Sequence, residues 1–160
     1  MFKNIAKTVL SAASVLCMMS AATPIYAENG TSDDTQISYT VTEQYTWTAP
    51  AAITFSSNSD TKSGTMSVTK NVIGYGKKLQ IKIADDEDFK LVDSADASNT
   101  RTYKIKKGST VLDKGGVVLE VASGTNTGSA SLTFAIDSVS VEKAGSFSGT
   151  ANFVSSVVAS

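Results

Sequence analysis

Alternation of apolar and polar residues with a period of two dominates this chain, and it first appears in residues 37–47. One face of this segment carries the larger side chains: Ile37, Tyr39, Val41, Glu43, Tyr45 and Trp47. The other face carries Ser, Thr and Gln. Alternation of this length, rich in threonine and aromatic residues, is typical of a half-buried β-strand. We therefore predict a first strand over 37–47, ended by Ala49-Pro50.

The same pattern recurs in short segments separated by Gly, Asn, Asp and Ser. Further strands are predicted at 52–57, 64–73, 78–84, 89–93, 101–107, 117–123, 129–137 and 139–143, with a closing strand within 144–156. The sequence Gly74-Tyr75-Gly76-Lys77 indicates a hairpin turn. No window has a sustained period of 3.6 residues. Eight to ten short strands with frequent turns predict an all-β, antiparallel β-sandwich, immunoglobulin-like or pilin-like, with a closed barrel as the alternative.

The closing segment is unusual because it contains no charged residue after Lys143. Phe147, Gly149, Ala151 and Phe153 share one parity and are the predicted strand-pairing residues. An edge without charge or proline is poorly protected against the addition of another strand. We expect this strand to neighbour the first strand in one sheet, either within one chain or between chains.

Residues 1–27 have the pattern of a secretory signal peptide. Lys3 and Lys7 precede an apolar run that is too short to span a bilayer, and Ala27 offers a small residue at the cleavage site. Cys17 allows a lipoprotein interpretation, which Leu16 disfavours. We expect a secreted, extracellular or cell-surface protein with no membrane insertion of the mature chain.

Residues 28–36 are predicted to be a flexible segment, and 37–160 a single sandwich domain.

The remaining composition excludes several function classes. Loss of Lys3 and Lys7 with the leader changes the net charge from −1 to −3, and the absence of a basic cluster argues against nucleic acid. The chain has no histidine, and its one cysteine lies in the leader. The common catalytic and zinc-binding constellations cannot then be assembled. We expect no enzymatic activity, no cofactor and no disulfide.

Two groups of residues are candidate binding sites. The run from Asp85 to Asp88 could supply oxygen ligands to calcium, with Asp85, Asp86 and Asp88 as the candidate metal ligands. Its carboxylates are adjacent rather than spaced as in a calcium loop, so a solvated turn is the favoured interpretation.

Aromatic side chains give the second candidate site, because their rings can stack on the apolar faces of sugars. The candidate glycan-binding residues are Tyr75, Tyr45, Trp47 and Tyr103. Tyr45 and Trp47 share a parity that favours the core, whereas Tyr75 lies in a turn and is expected to be exposed. Glu43 has the same parity as Tyr45, and strand-end exposure or a bulge is the simplest explanation for a carboxylate there.

The segments ISYTVTEQYTWTAPAAITF, SVTKNVIGYGKKLQIKI and AGSFSGTANF together resemble secreted β-sandwich surface proteins of Gram-positive bacteria. The last segment also resembles the closing strand of pilin and fimbrial subunits, although such pilins often carry a disulfide. The resemblance implies a structural or adhesive role, with self-association by strand addition or binding to another surface protein. An extracellular carbohydrate-binding module, with a glycan as partner, is the alternative.

The leader gives the first testable prediction. We expect the exported protein to begin at Glu28, because the positive start, the apolar run and Ala27 form one cleavage signal. Intact mass of the exported protein measures this directly. A mass that includes residues 1–27, or a lipid attached to Cys17, would contradict it.

Overall fold

The computed structural model describes residues 36–138 and 144–160, and the regular secondary structure of these ranges is β-strand. The strands are β1 Gln44–Thr48, β2 Thr61–Val72, β3 Lys77–Ile83, β4 Lys90–Asp93, β5 Thr100–Lys107, β6 Thr110–Leu112, β7 Val117–Ala122, β8 Gly128–Ile136, β9 Phe147–Ser148 and β10 Phe153–Ala159. The strand predicted at 139–143 lies outside the described residues. No helix in the described ranges has the length and apolar character needed to cross a membrane.

The strands form two sheets. The larger has seven strands in the order β1-β2-β8-β5-β4-β9, with β6 also paired to β5, and the smaller has the order β10-β3-β7. All of the pairings are antiparallel. The prediction of an all-β, antiparallel, sandwich-like fold is therefore confirmed.

The core lies between the two sheets and follows from the period-two pattern. In β5, Arg101, Tyr103 and Ile105 are buried while Thr102 and Lys104 are exposed. The most deeply buried apolar side chains are Met66, Val68, Leu79, Ile81, Ile83, Ile105, Val118 and Leu132. They are contributed by strands of both sheets, so burial of apolar surface holds the layers together without any disulfide.

The segment between β1 and β2 corrects one prediction. Residues 52–57 form no strand, although Ile53 and Phe55 pack against the core as their alternation indicates. Pro50 has no N–H for a ladder. A Cβ atom added to Gly64 would lie 2.7 Å from Pro50 Cβ, so this segment crosses β2 at close range. The alternation therefore reflects side-chain burial without strand pairing.

The two terminal strands also differ from their predicted bounds. Pairing of the first strand begins at Gln44, and residues 37–43 are not part of any described strand. The closing segment is divided, because β9 pairs with β4 and β10 pairs with β3. The chain crosses from one sheet to the other within residues 149–152. Gly149 permits this, since a Cβ atom there would collide with the carbonyl oxygen of Lys90.

Glu87 joins the elements that meet at this crossing. Its side chain is 1% exposed. Oε1 accepts hydrogen bonds from the Tyr103 hydroxyl at 2.9 Å and the Phe89 N–H at 3.1 Å, and Oε2 accepts one from the Asn152 N–H at 2.5 Å. Burial, together with the hydrogen bond to Glu87, raises the pKa of Tyr103 well above its usual value. One carboxyl group thus fixes the loop after β3, the middle of β5 and the entry to β10.

Replacing Glu87 with alanine tests this role. We expect Glu87→Ala to lower the free energy of unfolding by about 3 kcal/mol, because buried donors are left without an acceptor. Asp86→Ala is the matched control, since Asp86 lies in the same acidic run but is exposed, and its effect should stay within about 0.5 kcal/mol. Urea unfolding followed by circular dichroism measures both. Equal effects of the two substitutions would contradict the assignment.

Candidate functional site

The candidate site is the outer edge of β10, called the β10 edge below, and the strand β1 that faces it. Trp47 Nε1 donates a hydrogen bond to Ser155 Oγ at 3.0 Å. At the other end of β1, Glu43 forms an ion pair with Lys77 at 2.7 Å. Lys77 lies opposite Ala159 in the pairing of β3 with β10. Strands β1 and β10 therefore run in opposite directions on one side of the sandwich, each at the margin of its own sheet.

The register shows which backbone groups of β10 face outward. The Asn152 carbonyl accepts from the Ala84 N–H, and the Ser160 N–H donates to the Gly76 carbonyl, both at 2.9 Å. In an antiparallel strand, the N–H and C=O of one residue point to the same side and alternate along the chain. Even-numbered residues therefore face β3. Odd-numbered residues of β10 direct their N–H and C=O groups to the β10 edge, where no strand of the described ranges pairs with them: Phe153, Ser155, Val157 and Ala159.

The β10 edge lacks the features that usually protect an edge strand. Residues 144–160 contain neither charge nor proline, and β10 pairs with β3 over seven residues without a register shift. The other marginal strands are short, irregular or charged. Strand β9 has two residues, β6 has three, β1 has a register shift, and β7 carries Glu120 paired to Lys78 at 2.8 Å. Among the described strands, β10 is the least protected against strand addition.

An apolar cavity lies at the Phe153 end of the β10 edge. Its volume is about 270 Å³, and residues 49–53 and 149–151 form much of its lining. The remaining lining side chains are Phe55, Leu91, Tyr103, Phe134 and Phe153. The cavity therefore offers apolar contacts next to backbone groups that pair with no described strand, which is the combination that an added strand with alternating apolar side chains requires.

The predicted strand-pairing residues do not share one strand. Phe147 lies in β9, where the Arg101 guanidinium carbon is 4.6 Å from its ring centroid. Ala151 lies within the crossing and Phe153 begins β10, and both pack against the core. The expectation that the first and closing strands are neighbours in one sheet is wrong within a single chain, because β1 pairs with β2 and β10 with β3. The two strands instead face each other from different sheets.

The candidate glycan-binding residues are not brought together as one platform. Tyr75 is fully exposed in the turn between β2 and β3, as expected. Tyr45 and Trp47 are partly buried against the core, in agreement with their parity. Tyr103 is 5% exposed and its hydroxyl is bonded to Glu87. Its proposed stacking role is therefore incorrect, because its ring cannot reach a sugar in solvent.

The acidic run does not converge on a cation. Asp85, Asp86 and Asp88 are exposed, while Glu87 turns inward. Asp88 Oδ1 accepts a hydrogen bond from the N–H of Lys90 at 3.2 Å. Within 36–138 and 144–160, no group of three acidic or cysteine side chains is arranged to hold a metal. Sequence reasoning missed the burial of Glu87, since a run of carboxylates normally indicates a solvated turn.

Glu43 is exposed directly before the start of β1. Exposure at the strand end therefore explains why a carboxylate has the same parity as Tyr45. Its carboxylate accepts hydrogen bonds from the Gly74 N–H at 2.8 Å and from Lys77 at 2.7 Å. The Lys77 ammonium, followed by the Gly74 N–H, lowers the pKa of Glu43 below its usual value. The start of β1 is thereby attached to the turn between β2 and β3.

A double-mutant cycle tests whether β1 and β10 face each other as described. Trp47→Phe and Ser155→Ala remove the two sides of one hydrogen bond, so we expect a coupling of about 0.5–1.5 kcal/mol. Urea unfolding is followed by circular dichroism and not by tryptophan fluorescence, because Trp47→Phe removes the one tryptophan of the chain. Trp47→Phe with Ser156→Ala is the control, since Ser156 is exposed; this pair should be additive. A coupling of zero for the first pair would contradict the contact.

Comparison with known proteins adds no family to this description: no protein-family model matches the chain, and no curated protein is similar enough to be a relative.

Proposed function

We propose that this protein is a secreted or cell-surface structural protein that associates with itself by strand addition and has no catalytic role. The observation that carries the proposal is the β10 edge. It is the margin of a regular, uncharged seven-residue strand whose odd-numbered residues direct their N–H and C=O groups outward. Strand addition at such an edge gives affinity through backbone hydrogen bonds and specificity through alternate side chains.

The leader and the composition support this proposal. Residues 1–27 have the pattern of an export signal. The residues that follow have no cysteine and no histidine, so the core must provide the stability that disulfides give to many exported domains. A structural or adhesive subunit requires a stable scaffold and an accessible surface for contacts, and the two-sheet core with its marginal β10 strand meets both requirements.

A carbohydrate-binding module is the second candidate function, and Tyr75 is the observation that favours it. Its ring is fully exposed between Gly74 and Gly76, and exposed aromatic rings are suitable for stacking on sugars. Tyr45 and Trp47 pack against the core, which leaves Tyr75 as the most accessible of the candidate rings. In this case the protein would remain a monomer and bind a glycan through the turn between β2 and β3.

Sedimentation velocity of the purified mature protein over a wide concentration range distinguishes the two functions. A structural subunit is expected to form larger species as the concentration rises, and electron microscopy of the same samples should show extended assemblies. A module is expected to stay monomeric and to bind a glycan array in a way that Tyr75→Ala abolishes. A monomer at every concentration would overturn the structural proposal.

A further inference from the structure

The segment that precedes β1 has the composition of a strand but no partner in the described chain. Its large apolar side chains are strongly exposed: Ile37 by 91%, Tyr39 by 90% and Val41 by 57%. They alternate with Ser38, Thr40 and other polar residues, and no charge occurs from 36 to 42. Single exposed apolar residues are normal on a folded protein. Several at successive alternate positions indicate an interaction surface.

The direction of this segment favours a partner outside its own chain. Glu43 is attached to Gly74 and Lys77, and Lys77 pairs with Ala159 at the C-terminal end of β10. From Gln44 onward the chain runs back along its own β10 as β1. For residues 37–41 to reach the β10 edge of the same molecule, the chain would have to reverse at Glu43, which is held by two hydrogen bonds. A second copy meets no such restriction.

We propose that residues 37–41 of one copy add as a strand to the β10 edge of a second copy. This inference rests on the proposed function and names the donor and the acceptor. The donor supplies backbone groups for the outward N–H and C=O groups of Ser155, Val157 and their odd-numbered neighbours. Its alternate side chains face the sandwich, and the cavity beside Phe153 receives an apolar one.

The chemistry of the two surfaces agrees with this pairing. Neither residues 36–42 nor residues 144–160 contain a charged side chain, so the pairing buries no charged side chain of either segment. Val154, on the outer face of β10, is 51% exposed, which adds apolar surface for the neighbouring molecule. Donor and acceptor lie on different parts of one chain, so the contact is heterologous. Repetition of this contact gives an open filament unless the rotation between successive copies closes a ring.

Two substitutions test the proposal in the purified mature protein. Tyr39→Lys places a charge on the donor at a side chain that is 90% exposed, so the domain itself should be unaffected. Ala159→Pro removes an outward N–H from the β10 edge and keeps the hydrogen bonds to β3, because residue 159 faces away from β3.

Ala122→Pro is the matched control for the acceptor. Ala122 is an exposed alanine of β7, on the opposite margin of the same sheet. The Ser123 N–H donates to the Lys77 carbonyl at 2.9 Å, so the N–H of Ala122 faces away from β3 in the same manner. Circular dichroism and thermal melting of each variant verify that the sandwich remains folded.

We expect sedimentation velocity to show self-association of the unsubstituted protein, weakened about tenfold or more by Tyr39→Lys and by Ala159→Pro, and unchanged by Ala122→Pro. Oligomers that are insensitive to Tyr39→Lys would overturn the donor assignment while leaving the proposed function standing. Equal losses with Ala159→Pro and Ala122→Pro would overturn the assignment of the acceptor. A protein that is monomeric at every concentration would overturn both the inference and the proposed function.

Discussion

The buried carboxyl group of Glu87 is the constraint on which the rest of this structure depends. Burying such a group is costly unless its oxygens are hydrogen-bonded, and here three donors from separate parts of the chain converge on it. Because one of them is the Asn152 N–H, the same contact determines where the chain leaves the larger sheet and begins β10. The position of the last strand is thus fixed by a polar interaction as well as by apolar burial.

The position of β10 in turn determines which edge remains open. After the crossing, one side of β10 pairs with β3, and the other side meets no strand of the described ranges. The segment at 49–57 lies nearby and buries Ile53 and Phe55, yet it forms no strand. The apolar interior is therefore covered, while the outward backbone groups of the β10 edge pair with no strand of the described ranges. Burial and backbone pairing, which usually accompany each other in a sheet, are separated at this side of the sandwich.

The sequence predicts the strands of the middle of the chain well, and the terminal strands poorly. Segments such as 64–73 and 101–107 alternate because one face is buried and the backbone is paired, so one pattern reports both properties. At Ile53 and Phe55 the same alternation reports burial alone. For Phe147 and Phe153, a common parity indicated one strand, but the chain changes sheets between them. A period-two pattern contains no information about which sheet a residue faces, and the contact of Glu87 with Asn152 joins residues far apart in sequence.

The candidate site shows the same division between local and distant information. The lack of charge after Lys143 is a local property of the sequence, and β10, which belongs to this segment, lies at the margin of its sheet among the described strands. That the first and closing strands belong to different sheets depends on long-range pairing, which local patterns do not encode. An exposed strand without charged residues can pair with strands of other molecules, which leads to aggregation. In the proposed assembly this hazard is limited by the attachment of Glu43 to Gly74 and Lys77, which places the start of β1 beside the C-terminal end of β10. If residues 37–41 of one copy add to the β10 edge of another, as proposed, the uncharged composition of both segments favours this ordered contact over disordered ones.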